Sequence, residues 1–156
     1  MPNRCTKIRE IVYNCLNYET IFKDKVFNGK YSSVQNSKYF PSISILTPSE
    51  KNEVVTKNPK LFERTTNLFI ILFSRLHDNG EEERDNLMQF IEGKLNNINH
   101  DDFEFEYNSF ESDINFEGSH PSIITTIRYN CIYNTNEIEE KEYKDLKNIH
   151  IEVANG

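Results

Sequence analysis

Apolar and polar positions are most telling between Lys60 and Leu76, where LFERTTNLFIILFSRL follows the lysine. Strand side chains point alternately to the two faces of a sheet. Thr66, Leu68, Ile70 and Leu72 therefore share one face, and Asn67, Phe69, Ile71 and Phe73 the other. The centre of the segment is apolar on both faces, which predicts a long central strand needing cover on each side. The chain's own helices can cover one face. The other calls for a second layer, and a partner subunit is one source of it.

Two segments carry helical spacing. Ile8, Ile11, Val12, Cys15 and Leu16 form one apolar stripe and predict a helix over Arg4–Asn17, capped by Asn3 or Thr6. Leu87, Met88, Phe90, Ile91 and Leu95 predict a second, from about Glu81 to Asn96 or Asn97. Asp78 or Asn79 is its expected cap, and Glu81, Glu82 and Glu83 match the positive end of its dipole.

The remaining segments read as strands and links. Tyr18–Gly29 is a turn and short extended piece anchored by Ile21, Phe22, Val26 and Phe27, and Lys30–Lys38 is polar. Tyr39–Thr47 predicts a strand entered through Pro41. Pro48–Pro59 reads as a long polar loop, expected to be poorly ordered in the isolated subunit and to serve in contacts with neighbours. Phe103, Phe105 and Tyr107 alternate with glutamates, and a turn follows at Gly118–Pro121. Ser122–Tyr133 predicts a strand with Ile123, Thr125, Ile127, Tyr129, Cys131 and Tyr133 on one face. Residues 134–145 are polar and charged, and LKNIHIEV at 146–153 suggests a short final strand. The order predicts an α+β fold: a mainly antiparallel sheet with both helices on one face. Ile11, Leu16, Leu87, Ile91, Ile127 and either Leu68 or Phe69 should be buried together. The chain reads as one domain over residues 1–156, with a charged C-terminal extension from about 134 to 156.

Composition narrows the class. The chain has 156 residues, 37% of them hydrophobic and 28% charged, as a soluble globular domain has. No apolar run approaches the ~20 residues of a membrane helix, and MPNRCTKIREIV lacks the apolar core of a signal peptide. Cys5, Cys15 and Cys131 are odd in number and lack metal-type spacing, which predicts reduced thiols in a cytoplasm. A net charge of −7 disfavours a dedicated nucleic-acid binder.

Candidate chemistry is sparse. Asp101 to Glu117 holds seven acids and no base. Such clusters bind metals or perform acid–base work, but here Glu104 and Glu106 alternate with aromatics, as on the solvent face of a half-buried strand. His77, His100, His120 and His150 have no zinc-type spacing. His77 adjoins Asp78, but neighbours on a turn point apart and no nucleophile motif accompanies them. Cys5 is a reactive thiol only if exposed, whereas Cys15 and Cys131 read as small core residues. With five glycines and no phosphate loop, nothing predicts a nucleotide or flavin. No catalytic, cofactor or metal residue is assigned.

The ordered set of features resembles the tail terminator (tail completion) proteins of long-tailed phages and prophages. It comprises IREIVYNCL, VFNG, FPSISILTPSE, a polar loop, RTTNLFIILFSR, EEERDNLMQFIEGKL and SIITTIRYNCIY after an EG turn, over about residues 4–133. Residues 98–117, rich in Phe and acids, and the charged C-terminal extension depart from that pattern. The resemblance implies a non-enzymatic minor tail protein of the virion tail, assembled in the host cytoplasm. It would form a ring, usually a hexamer, that caps the tail tube, stops polymerisation of the major tail tube protein and offers a joining surface to the head–tail connector protein. DNA would pass through the lumen without specific binding, which an acidic balance suits. Neither a membrane nor a cofactor is implied. Lys51, Glu53, Lys57, Lys60, Phe69 and Ile71 form the candidate assembly interface. The alternatives are another head–tail connector or tail-tube component, a small adaptor, or a metal-dependent hydrolase using the acids of 101–113.

Overall fold

A computed structural model describes residues 3–18, 21–30, 40–116 and 120–136. Helix α1 spans Arg4–Asn17 and α2 spans Gly80–Asn96; strands β1 (Val26–Asn28), β2 (Ser42–Lys57), β3 (Lys60–Arg75), β4 (Glu104–Asn115) and β5 (Ser122–Asn136) complete the order α1-β1-β2-β3-α2-β4-β5. The strands form one sheet in the order β1-β2-β3-β5-β4. β1 is parallel to β2, and every other pairing is antiparallel. The fold is α+β, with one mostly antiparallel sheet.

Local chemistry explains the helix ends. Asn3 caps α1, its side-chain oxygen accepting from the Cys5 N–H at 2.8 Å. Asn79 occupies the cap position of α2 but makes no side-chain cap bond. His77 braces the turn that leads into the helix. Its Nδ1 accepts from the Asn79 N–H at 3.3 Å, which leaves Nε2–H to donate to Glu83 at 2.5 Å. Asn97 ends α2 at the expected place.

Both helices lie on one face of the sheet and share one core. Ile8, Val12 and Leu16 of α1 and Leu87, Met88, Ile91 and Leu95 of α2 meet Ile43, Ile45, Leu68, Ile70, Leu72, Ile127, Tyr129 and Cys131. α1 lies against β1 and β2, and α2 against β3 and β4. Each fully buried aliphatic side chain of this set stabilises the fold by roughly 1.5–3 kcal/mol. Of the Leu68/Phe69 alternatives, Leu68 is the core residue; Ile11 packs on the core while partly exposed. Phe22 and Val26 anchor the piece after α1, but Ile21, expected there as an anchor, is 42% exposed. Every inward residue expected of β5 is buried.

Two expectations are corrected. Pro48–Pro59 is not a loop. β2 runs on to Lys57 and pairs with β3 down to Lys57↔Lys60, so the segment is one side of a long hairpin closed at Asn58-Pro59. Charge and polarity suggested a loop; Val54, Val55 and Thr56 are β-branched, and cross-strand pairing needs no buried face. Pro48 is accommodated because the β2–β3 register shifts by a bulge between Leu46 and Ser49. Second, the far face of β3 is not an open apolar surface: Phe73 is fully buried, Ile71 is 6% exposed and Phe69 is half-buried. The expected strand at 146–153 and most of the charged extension lie outside the described residues; β5 itself extends through Asn136.

Candidate assembly surfaces

The hairpin forms an arm. From Pro48 to Lys57 every residue of β2 is exposed, as are Lys60 and Leu61 of β3. On its other side β3 pairs with β5 as far as Leu61↔Asn136, so the arm is three strands deep. A latch holds its base. The Glu50 carboxylate faces the Arg64 guanidinium at 3.2 Å and Arg4 at 3.9 Å, and it accepts a hydrogen bond from the Tyr133 hydroxyl. Arg4 also lies 5.9 Å from the centroid of the Tyr133 ring. Helix α1, β2, β3 and β5 thus meet at one carboxylate. The Tyr133 hydroxyl is held protonated beyond the usual tyrosine range, first by burial and then by its bond to Glu50.

Four of the six candidate interface residues lie on the arm. Lys51 and Glu53 pair at 2.8 Å; their mutual bond raises the lysine pKa and lowers that of the glutamate. Lys57 and Lys60 face each other at the tip, where the Thr56 hydroxyl donates to the Pro59 carbonyl at 2.6 Å. Phe69 and Ile71 sit elsewhere, on the far face of β3 within the body of the sheet. Ile71 offers almost no surface, and Phe69 lies under the Arg128 guanidinium at 5.3 Å. The structure therefore separates the six into an exposed arm set and a largely covered sheet set.

The exposed apolar residues lie elsewhere. Val54 is 50% exposed, Val55 58% and Leu61 37% on the arm; Tyr107 is 46%, Phe110 43% and Ile114 53% on β4. β4 is an edge strand of two unlike faces. Tyr107, Phe110 and Ile114 stand opposite Tyr129, Ile127 and Ile123, and so lie on the helix side. Glu104, Glu106, Glu111 and Asp113 stand opposite Ile132, Asn130, Thr126 and Ile124, on the far side. A register shift between Tyr107 and Ser109 keeps the apolar row on one side. The sequence did carry this signal, as aromatics alternating with acids, but alternation marks only two faces and does not say which of them a helix covers.

The acids do not converge. Glu111 pairs with Arg128 at 2.6 Å, and among the described residues no three His, Cys, Asp or Glu side chains come together as a metal would require. His77 bonds Glu83 rather than Asp78. Cys131 is buried, and burial pushes its thiol up to about 12, leaving it protonated and unreactive at neutral pH. Cys15 is partly buried, its thiol donating to the Lys94 carbonyl at 3.5 Å. No helix among the described residues is long and apolar enough to cross a membrane. No protein-family model matches the chain, and no curated protein matches its sequence.

Proposed function

We propose that this protein is a structural subunit of a phage tail, a tail terminator that caps the tail tube as a ring and provides the surface for head joining. The observation that carries the reading is the arm: ten consecutive exposed strand residues, Pro48–Lys57, tied to the body at its base by the Glu50 latch. A projecting arm bearing exposed valines can reach a neighbour, and a contact that closes by rotation makes a ring. The order of elements, with helix α1 first and the acidic-started helix α2 after the central strand, supports the same reading. The chain acts without catalysis. Its acids lie in a row along β4, which supports the assembly reading over the hydrolase alternative.

The test is genetic and morphological. Deleting the gene from the phage that carries it should yield tails of abnormal length or heads without joined tails. Normal tails on normal heads would overturn the reading. The runner-up, a tail-tube component, differs in where the protein sits: labelled protein should decorate one end of each tail, and labelling along the whole tube would favour the runner-up.

A further inference from the structure

Among the described residues the arm, beyond the reach of β1, and β4 are long strand flanks on opposite sides of the sheet, and they complement one another. β1 covers β2 only at Ile43, Ser44 and Ile45, so among the described residues the outer flank of β2 is unpaired from Leu46 to Lys57. Among the described residues the outer flank of β4 is likewise without a strand partner along Glu104–Ile114. Long unpaired flanks are templates for strand addition. Their directions match. β2 is antiparallel to β3, β3 to β5 and β5 to β4, so β4 runs opposite to β2. A second copy set beside the first with the same face up would bring its β2 against β4 in antiparallel order.

The faces match as well. Val54 stands opposite Phe62, which lies on the side of Arg64, Thr66 and Leu68, the helix side. Tyr107, Phe110 and Ile114 lie on that same side of β4. Joining the flanks therefore sets Val54 of one copy on the same side of the continued sheet as the apolar row of the other, while Leu61 lies on the far side. On the far side Lys51, with Glu53 beside it, would meet a row containing Glu104, Glu106, Glu111 and Asp113. The charges agree in sum: Pro48 to Arg64 contains Lys51, Lys57, Lys60 and Arg64 against three glutamates, whereas Asp101 to Asp113 holds only acids.

We propose that the outer flank of β2 in one copy pairs antiparallel with the outer flank of β4 in a second copy, a head-to-tail contact between two different surfaces of the same chain. This names the subunit contact of the assembly reading and rests on that reading. Because the surfaces differ, each copy keeps one of each free, and the contact propagates to a ring or a filament instead of stopping at a dimer.

Sedimentation velocity on the purified full chain tests it. The wild type should form species larger than a dimer as concentration rises, more weakly at high salt. An arm variant, Lys51→Glu with Val54→Asp, and a flank variant, Phe110→Asp with Ile114→Asp, change only exposed residues and should keep the wild-type circular dichroism. Each alone should need at least ~10-fold more protein to assemble. Mixed one to one, they should form a heterodimer and nothing larger, since the arm variant keeps an intact flank and the flank variant an intact arm. If both variants assemble like the wild type, or the mixture fails to dimerise, this contact is wrong while ring assembly through another surface survives. If the wild type stays monomeric at every concentration and forms no ring on isolated tail tubes, the contact and the assembly reading fall together.

Discussion

Glu50 accepts a hydrogen bond from the hydroxyl of Tyr133, 83 positions further along the chain, and the same carboxylate oxygen faces Arg64 at 3.2 Å. The pair ties β2 to β5 across β3, at the level where the sheet leaves its helical cover and becomes the arm. Glu50→Ala removes the acceptor from a tyrosine and the counter-charge from an arginine whose side chain is only 11% exposed. The loss should be about 1–3 kcal/mol in urea unfolding, with Tyr133→Phe costing about 1 kcal/mol. The double variant should cost less than the sum of the two, since both remove the same bond.

The unequal faces of β3 should show in truncation. Leu68 and Ile91 are fully buried in the shared core, whereas Asn67, next to Leu68 in the chain but on the other face, is exposed. Leu68→Ala and Ile91→Ala should each cost about 2–5 kcal/mol, and Asn67→Ala within about 0.5 kcal/mol. Equal losses at positions 67 and 68 would reverse the assignment of faces.

Two glycines of α2 should respond in opposite senses. A Cβ at Gly80 would lie 3.0 Å from the Arg75 carbonyl oxygen and 3.4 Å from Ile123 Cδ1, so backbone must move to admit it. A Cβ at Gly93 would meet nothing within 4 Å. Gly93→Ala should raise stability by about 0.5–1 kcal/mol through helix propensity alone. Gly80→Ala should lower it, read as a fall in thermal midpoint.

Alkaline pH should destabilise the fold. Burial holds the Cys131 thiol at about 12 against an ordinary 9.0, and holds Tyr129 and Tyr133 protonated beyond the ordinary tyrosine value. The unfolded chain therefore releases these protons first. The stability is complete below pH 9 and falls as pH rises toward 12, with Cys131 alone contributing a slope of up to about 1.4 kcal/mol per pH unit. Urea midpoints at pH 8 and pH 10.5 measure it, and Cys131→Ala should flatten the lower part of the slope.

Hydrogen exchange should separate the strands of the arm. β3 is paired on both sides down to Leu61, so its amides at 62–65 should exchange slowly. Among the described residues β2 is paired on one side only beyond Leu46, so alternate amides from Ser49 to Lys57 should exchange fast in the free subunit. Uniformly fast exchange through both strands would instead describe the loop that the polar composition suggests.

Local periodicity determined what this chain makes. The stripes of α1 and α2, the two-faced strand around Leu68–Phe73 and the inward row of β5 were all legible, because helix and strand repeats impose their own spacing on apolar residues whatever they pack against. The caps at Asn3 and Asn97 were equally local. Tertiary structure decided the rest. Ser49–Lys57 is polar and exposed, and only its partner β3 makes it a strand; no periodic burial announces a strand whose order comes from a neighbour's hydrogen bonds. Phe69 and Ile71 looked like surplus apolar surface, because alternation shows that two faces exist but not how far each is covered. Tyr107 alternated with glutamates as on a half-buried strand, yet it is 46% exposed. Whether an apolar row becomes core or contact surface depends on where the helices end over the sheet, and that is fixed by packing between elements far apart in the chain.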